Sequence, residues 1–289
     1  MARDLKTAVR AAHSVSSSLN LTQTIEPMAT SVDLDFAPLA SLLLATDLVP
    51  PAHDVTKFAG VDYTTSVAGV MEVDFNGTNV RIKHDGGATG CGGKLWPAGE
   101  LLSRYLTSAR DDSTYLAHEA IWGRLLTAPV RIVELGSGTG LVGIALANAY
   151  RDSESAETSR NTPRIIITDQ VNMLELMQNN IKLNDVEDIV SAEVLDWGVE
   201  LPERSAQPDV VLAADCVYFE PAFVLLEKTL LDLTTKDTLV LMSYKKRRKA
   251  DNKFFKAIRK NFLVEEIQNY VEYESFHRES VFLYRLIRK

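Results

Sequence analysis

From Arg131 onward, short apolar runs alternate with amphipathic stretches whose apolar residues recur at helical spacing, and this alternation predicts most of the fold. The apolar runs at 131–135, 164–168, 191–195, 209–214 and 238–243 read as strands buried on both faces. The stretches at 141–150, 173–183 and 222–233 read as helices: Leu174, Met177 and Ile181 share one face, as do Phe223, Leu226, Leu230 and Leu233. Strands joined by helices indicate a parallel sheet with crossover connections. A helix at 252–261 is followed by strands at 263–268 and 281–287, and because helices stop alternating there the last pair is expected to be antiparallel.

Upstream the period changes to two. Val70 to Phe75 and Thr78 to Lys83 alternate in polarity around Asn76 and Gly77, which predicts a hairpin on the flank of the main domain. A glycine-rich loop from Gly86 to Gly93 runs into Trp96 and Pro97, where a proline suits a first helical turn; Glu100, Leu101, Leu102, Tyr105 and Leu106 then follow at helical spacing. Residues 1–66 are expected to form a partly disordered arm, with a catalytic domain at 67–289 that includes the hairpin. The polar insert after Arg151 reads as a solvated loop.

Composition narrows the function. At 289 residues and 46% apolar, the chain can bury one sizeable core. A net charge of -8 disfavours binding to phosphate backbones and suits a basic protein partner, so no nucleic acid is expected as a partner. Cys91 and Cys216 belong to no paired motif, the five histidines are scattered without metal-ligand spacing, and no apolar run approaches the length of a membrane span. A cytoplasmic monomer with no metal and no membrane partner is the expectation. Lys245 to Lys249, five consecutive bases, read as a solvated loop or as a contact for an acidic patch on a substrate.

The candidate chemistry sits at the carboxyl ends of the strands, where open α/β sheets bind ligands. Gly136, Gly138 and Gly140 form a strand-to-helix turn after the first strand. Two patterns overlap there: Gly138, Gly140 and Gly143 fit the dinucleotide fingerprint, while Glu134 followed by three alternating glycines fits the loop of S-adenosylmethionine (AdoMet) enzymes. Asp169 after the second strand can accept ribose hydroxyls in either case. Trp197 after the third can stack on adenine or simply cap the core, and Trp96 is as readily a core aromatic. The segment after the fourth strand discriminates: Ala214, Asp215 and Tyr218 suit a displacement governed by positioning, and no His or Lys is offered as the proton donor that a hydride-transfer enzyme would want.

Taken together, these ordered motifs resemble methyltransferase-like family 21 of the seven-stranded protein-lysine N-methyltransferases. The likeness rests on Gly92 to Leu106 with Trp96 and Pro97, the loop Glu134 to Gly140, Thr168 and Asp169, Asn179 and Asn180, Leu195 to Gly198, and Asp215 to Tyr218 as the family's DxxY motif. It covers roughly residues 68–289 and is closest to the fungal branch whose substrate is translation elongation factor 1-alpha.

The resemblance implies a class I AdoMet-dependent fold: a seven-stranded, mostly parallel, doubly wound sheet with an antiparallel terminal strand and an N-terminal β-hairpin extension. It implies AdoMet contacts at Trp96, Gly136, Ser137, Gly138, Asp169, Trp197 and Ala214, and an acceptor-lysine channel lined by the catalytic residues Asp215 and Tyr218. Tyr218 would wall the slot and Asp215 would orient the amine. Two other readings stay open at this point: a nucleic-acid or small-molecule N-methyltransferase, against which the lack of prolines between Asp215 and Tyr218 counts, and a non-catalytic AdoMet-binding module.

Overall fold

The computed structural model describes Tyr63 and residues 65–125, 127–153 and 161–289. Most of the expected arm, together with the tip of the insert after Arg151, lies outside the described residues. Tyr63, assigned to the arm on sequence, is buried and donates a hydrogen bond to Glu100, so packing begins before residue 67.

The main sheet contains seven strands: β3 (Arg131–Leu135), β4 (Arg164–Asp169), β5 (Val190–Val194), β6 (Val210–Ala214), β7 (Leu239–Lys245), β8 (Phe262–Glu266) and β9 (Val281–Arg288). Their spatial order is β5-β4-β3-β6-β7-β9-β8. Pairing is parallel from β5 through β7, and β9 runs antiparallel to both β7 and β8. Only the last strand is reversed. This is the class I AdoMet-dependent methyltransferase architecture, and the strand order turns at β3 and β6, so their carboxyl ends open the crevice where a ligand fits.

The helices are α1 (Pro97–Ser108), α2 (Leu141–Arg151), α3 (Leu174–Leu183), α4 (Phe223–Leu233), α5 (Asp251–Ile258) and α6 (Tyr273–Arg278). Alternate side chains of each central strand enter different apolar clusters. Ile132, Val210, Leu212 and Leu241 join residues of α1, α2 and α3 in one; Val133, Val211, Ala213 and Met242 join those of α4 and α5 in the other. That division is what a strand's two-residue period requires when helices cover both faces. Among the described residues no helix is long and apolar enough to cross a membrane.

Two elements differ from the sequence expectation. Helices do not stop alternating before the last strand: α6 lies between β8 and β9, and its buried Phe276 is its apolar anchor. Six residues give no repeating apolar spacing to read. A π-helical turn, His118–Gly123, also went unmarked; it buries Ile121 and Trp122, whose indole N–H donates to the Leu106 carbonyl at 3.3 Å.

The hairpin, β1 (Gly69–Phe75) with β2 (Thr78–His84), turns at Asn76 and Gly77, both at positive φ. Its free edge is closed by side chains from α3 and its C-cap residue. The Asn180 amide oxygen accepts the Lys83 N–H at 2.7 Å and its nitrogen donates to the Lys83 carbonyl at 2.9 Å, while Asn184 does the same for Arg81 at 3.0 and 2.7 Å. Two asparagines one helical turn apart thus stand in for a neighbouring strand. Asn180 also donates to the Thr139 carbonyl at 2.8 Å, which ties the hairpin to the glycine turn.

Candidate active site

The glycine turn is built by the end of β3. Gly136, Gly138 and Gly140 have φ of 58, 56 and 80°, in the left-handed region where a side chain is strained. A Cβ on Gly136 would lie 2.9 Å from the Trp197 ring and 3.0 Å from the Cys216 sulfur, and one on Gly138 would lie 2.6 Å from the Gly92 carbonyl oxygen. The turn is therefore pressed between the loop after β5, the loop after β6 and the short helical turn Cys91–Gly93. Ser137 braces it from behind: its hydroxyl donates to the Glu134 carbonyl and accepts the Thr168 N–H, while its own N–H donates to the Thr168 carbonyl at 2.9 Å.

Two carboxylates support this turn. Glu134 is 1% exposed and accepts the Gly143 N–H at 2.8 Å, which joins the strand end to the first turn of α2; burial pushes its carboxyl up to about 8. Asp169, at the end of β4, accepts the Gly138 N–H at 2.8 Å and the Gln170 N–H at 2.7 Å. Burial raises its pKa, the two N–H donors oppose that, and nearby Asp196 adds to it. One oxygen takes each N–H, so each keeps acceptor capacity for a hydroxyl.

On the other side of the crevice, Ala214 ends β6 and Asp215 follows at φ 59°. The Tyr218 hydroxyl lies beside the Cys91 thiol, and burial, reinforced by Cys91, holds the phenol well above its ordinary value and therefore neutral. Burial likewise raises both thiols. The Trp96 indole donates to the Cys91 carbonyl at 2.9 Å. Cys91 thus joins Trp96 to Tyr218, and the adjacent Gly92 reaches the glycine turn. Eight of the nine residues singled out on sequence lie at or just beyond the carboxyl ends of β3, β4, β5 and β6, and Trp96 joins them through Cys91.

Asp215 is not alone there. It receives both terminal nitrogens of Arg247, at 2.7 and 2.6 Å, and the Lys245 N–H at 3.3 Å. The pair is almost dry, with side chains 12% and 6% exposed. The guanidinium also lies 5.2 Å from the centre of the Trp96 ring. Burial opposes its charge, and Asp215 outweighs burial to hold the pKa above its ordinary value. The basic run is therefore not uniformly solvated: Lys246, Arg248 and Lys249 are exposed, Lys245 and Arg247 are half-buried, and only Arg247 enters the crevice. No periodicity marks which of five bases turns inward, so the sequence carried no signal for it.

The donor set fits an adenosyl ligand. A side-chain-free turn admits close approach, Asp169 retains acceptor capacity for ribose hydroxyls, and Trp197 presents a flat ring beside the turn. Among the described residues no cluster suits a metal ion.

Comparison with known proteins agrees with this geometry. Residues 74–261 match the family model described as lysine methyltransferase. The chain is 40% identical to protein-lysine N-methyltransferase EFM6 of Saccharomyces cerevisiae over 235 residues, covering 76% of this chain and 92% of the relative. It is 29% identical over 192 residues to protein N-lysine methyltransferase METTL21A of Xenopus tropicalis, covering 65% and 77%. The METTL21A of Danio rerio is also 29% identical, over 215 residues and with 72% and 83% covered. With the sheet, the crevice and these similarities in hand, the chain belongs to the lysine methyltransferase family as an AdoMet-dependent protein-lysine N-methyltransferase.

Proposed function

We propose that this enzyme methylates a lysine of translation elongation factor 1-alpha, with Gly136, Ser137, Gly138, Asp169, Trp197, Trp96 and Ala214 holding AdoMet and with Asp215 and Tyr218 lining the acceptor channel. The observation that carries this reading is the packing of Gly92 against the glycine turn that Asp169 supports, with its neighbour Cys91 beside Tyr218 and close to Asp215. AdoMet, when bound, supplies an electrophilic methyl group that a neutral amine displaces. The choice of acceptor follows the motif resemblance, and the net charge of -8 suits a basic partner.

What the chain must do is deliver a neutral amine. A free lysine has a pKa near 10.4, so roughly one in a thousand is neutral at pH 7.4, a handicap of about 4 kcal/mol. Enclosure beside the neutral Tyr218 phenol disfavours the ammonium and reduces that handicap. Asp215 accepts a hydrogen bond from the amine and aims its lone pair, and water takes the proton released. We place the enzyme in the cytoplasm as a monomer; its two free thiols suit a reducing compartment.

The test is mass spectrometry of elongation factor 1-alpha from cells with and without this protein, paired with transfer of labelled methyl from AdoMet to the unmethylated factor by the purified enzyme. A lysine that loses its methyl groups in the deletion strain and regains label in vitro is the expected result. Labelling of a different protein band would replace the substrate and leave the chemistry standing.

A further inference from the structure

The Asp215–Arg247 pair poses a question that lysine methylation alone does not answer. A buried bare carboxylate beside an incoming ammonium would stabilise the ammonium, the form that cannot be methylated. Yet the acceptor channel contains a carboxylate, and a dry one. Arg247 meets it with two parallel hydrogen bonds, the geometry that best fixes a carboxylate's plane.

The placement of Arg247 is built. Asp251, fully buried at the head of α5, accepts the Tyr244 hydroxyl at 2.8 Å, the Arg248 N–H at 3.0 Å and the Arg247 N–H at 3.3 Å. The Lys246 N–H donates to the Ser280 carbonyl at 2.9 Å, which binds the same loop to the start of β9. With the backbone held on both sides, the guanidinium is directed onto Asp215, and the Trp96 ring covers it.

We propose that Arg247 is a positioning residue for the acceptor amine: it fixes the direction of the Asp215 carboxylate and cancels its charge, so that the amine meets an oriented acceptor that does not hold it as an ammonium. This inference rests on the assignment of Asp215 to the acceptor channel. The other polar groups facing the pair are Lys245, whose amine donates to the Glu279 carbonyl at 2.8 Å, together with Asp251, Tyr244, Cys91 and Cys216. Lys245 is directed to Glu279, and Asp251 is occupied by its own loop, which leaves Arg247 as the group in direct contact with both Asp215 oxygens.

Two adenosyl ligands isolate the effect without requiring a protein acceptor. Sinefungin carries a primary ammonium where AdoMet carries its methylsulfonium, and S-adenosylhomocysteine carries no charge there. Calorimetry on the full chain compares their affinities in the wild type, Arg247→Gln, Arg247→Met, Arg247→Lys, Asp215→Asn and the double variant Asp215→Asn/Arg247→Met. Removing the guanidinium charge exposes the carboxylate to the ligand ammonium, so Arg247→Gln and Arg247→Met should favour sinefungin over S-adenosylhomocysteine by roughly tenfold more than the wild type does. Arg247→Lys should restore the ratio to within about twofold, and the double variant should return it to that of Asp215→Asn.

Thermal melts show which variants fold, and Arg247→Gln keeps hydrogen-bond donors for Asp215 should Arg247→Met not fold. A lowered melting temperature with an unchanged ratio reduces Arg247 to a structural residue and overturns the inference. A tenfold change that persists in the double variant also overturns it, because the effect would not pass through Asp215. Wild-type protein that binds neither ligand removes the site assignment together with the inference. Binding of both ligands with an insensitive ratio removes only the inference.

Discussion

Replacing Glu134 by Gln should make the protein more stable at neutral and alkaline pH while leaving it nearly unchanged in mild acid. Glu134 is 1% exposed, and burial moves its carboxyl from 4.5 to about 8. The unfolded chain therefore ionises near 4.5, whereas the folded chain keeps the proton until about 8. Between these values the folded state binds more protons than the unfolded state, so stability falls as pH rises. At about 1.4 kcal/mol per pH unit, the loss reaches roughly 3 kcal/mol by pH 7 and roughly 5 kcal/mol above pH 8. Glutamine keeps a carbonyl to accept the Gly143 N–H, now at 2.8 Å from the carboxyl, and never ionises. Calorimetric melts of both proteins from pH 5 to 9, without ligand, should differ by no more than about 2–4 °C near pH 5. By pH 7 the variant should melt about 6–12 °C higher, at the 2–4 °C per kcal/mol usual for this size. A gap that stays constant with pH, or that favours the wild type as pH rises, would refute the reasoning, because it would mean that Glu134 is ionised in the fold.

Tyr218→Phe and Asp215→Asn should each cut methyl transfer strongly while leaving the affinity for S-adenosylhomocysteine within a few-fold; full turnover in both, measured with labelled AdoMet, would remove them from the acceptor channel. Gly138→Ala places a methyl group 2.6 Å from the Gly92 carbonyl oxygen at φ 56°, so the Cys91–Gly93 turn must shift. Calorimetry should show a loss of S-adenosylhomocysteine binding of at least tenfold. Asn180→Ala strips partners from the Lys83 backbone and from the Thr139 carbonyl in a buried setting, which should cost about 2–4 kcal/mol in urea unfolding. Hydrogen exchange should then locate the loosening in β2.

Much of the candidate site was legible because it depends on local chemistry. The glycines at 136, 138 and 140 announce a turn that L side chains cannot make, and all three adopt positive φ. Asp169 and Trp197 follow predicted strands, and the parallel pairing of β3, β4 and β5 brings those strand ends to one edge. Asp215 and Tyr218 follow the fourth predicted strand in the same way, and their proposed roles came from the motif resemblance. What stayed hidden were partners distant in sequence. Arg247 lies 32 residues from Asp215, and Cys91 meets Tyr218 across the crevice. Asn180 appeared only as part of a motif, although its side chain completes the edge of a strand 97 residues away.

Periodicity alone determined that this chain forms a parallel sheet covered on both faces, since a buried strand must be apolar at successive positions and a covering helix apolar at every third or fourth. The same signal settled the hairpin and put the candidate residues at strand ends. Only the tertiary structure decided which of five consecutive bases turns inward, that Asp215 is already paired, and that Glu134 is dry enough for burial to raise its pKa. The reason is physical: backbone preference acts over a few neighbouring residues, whereas the charge state of a side chain is set by whatever the completed fold places within a few ångströms of it.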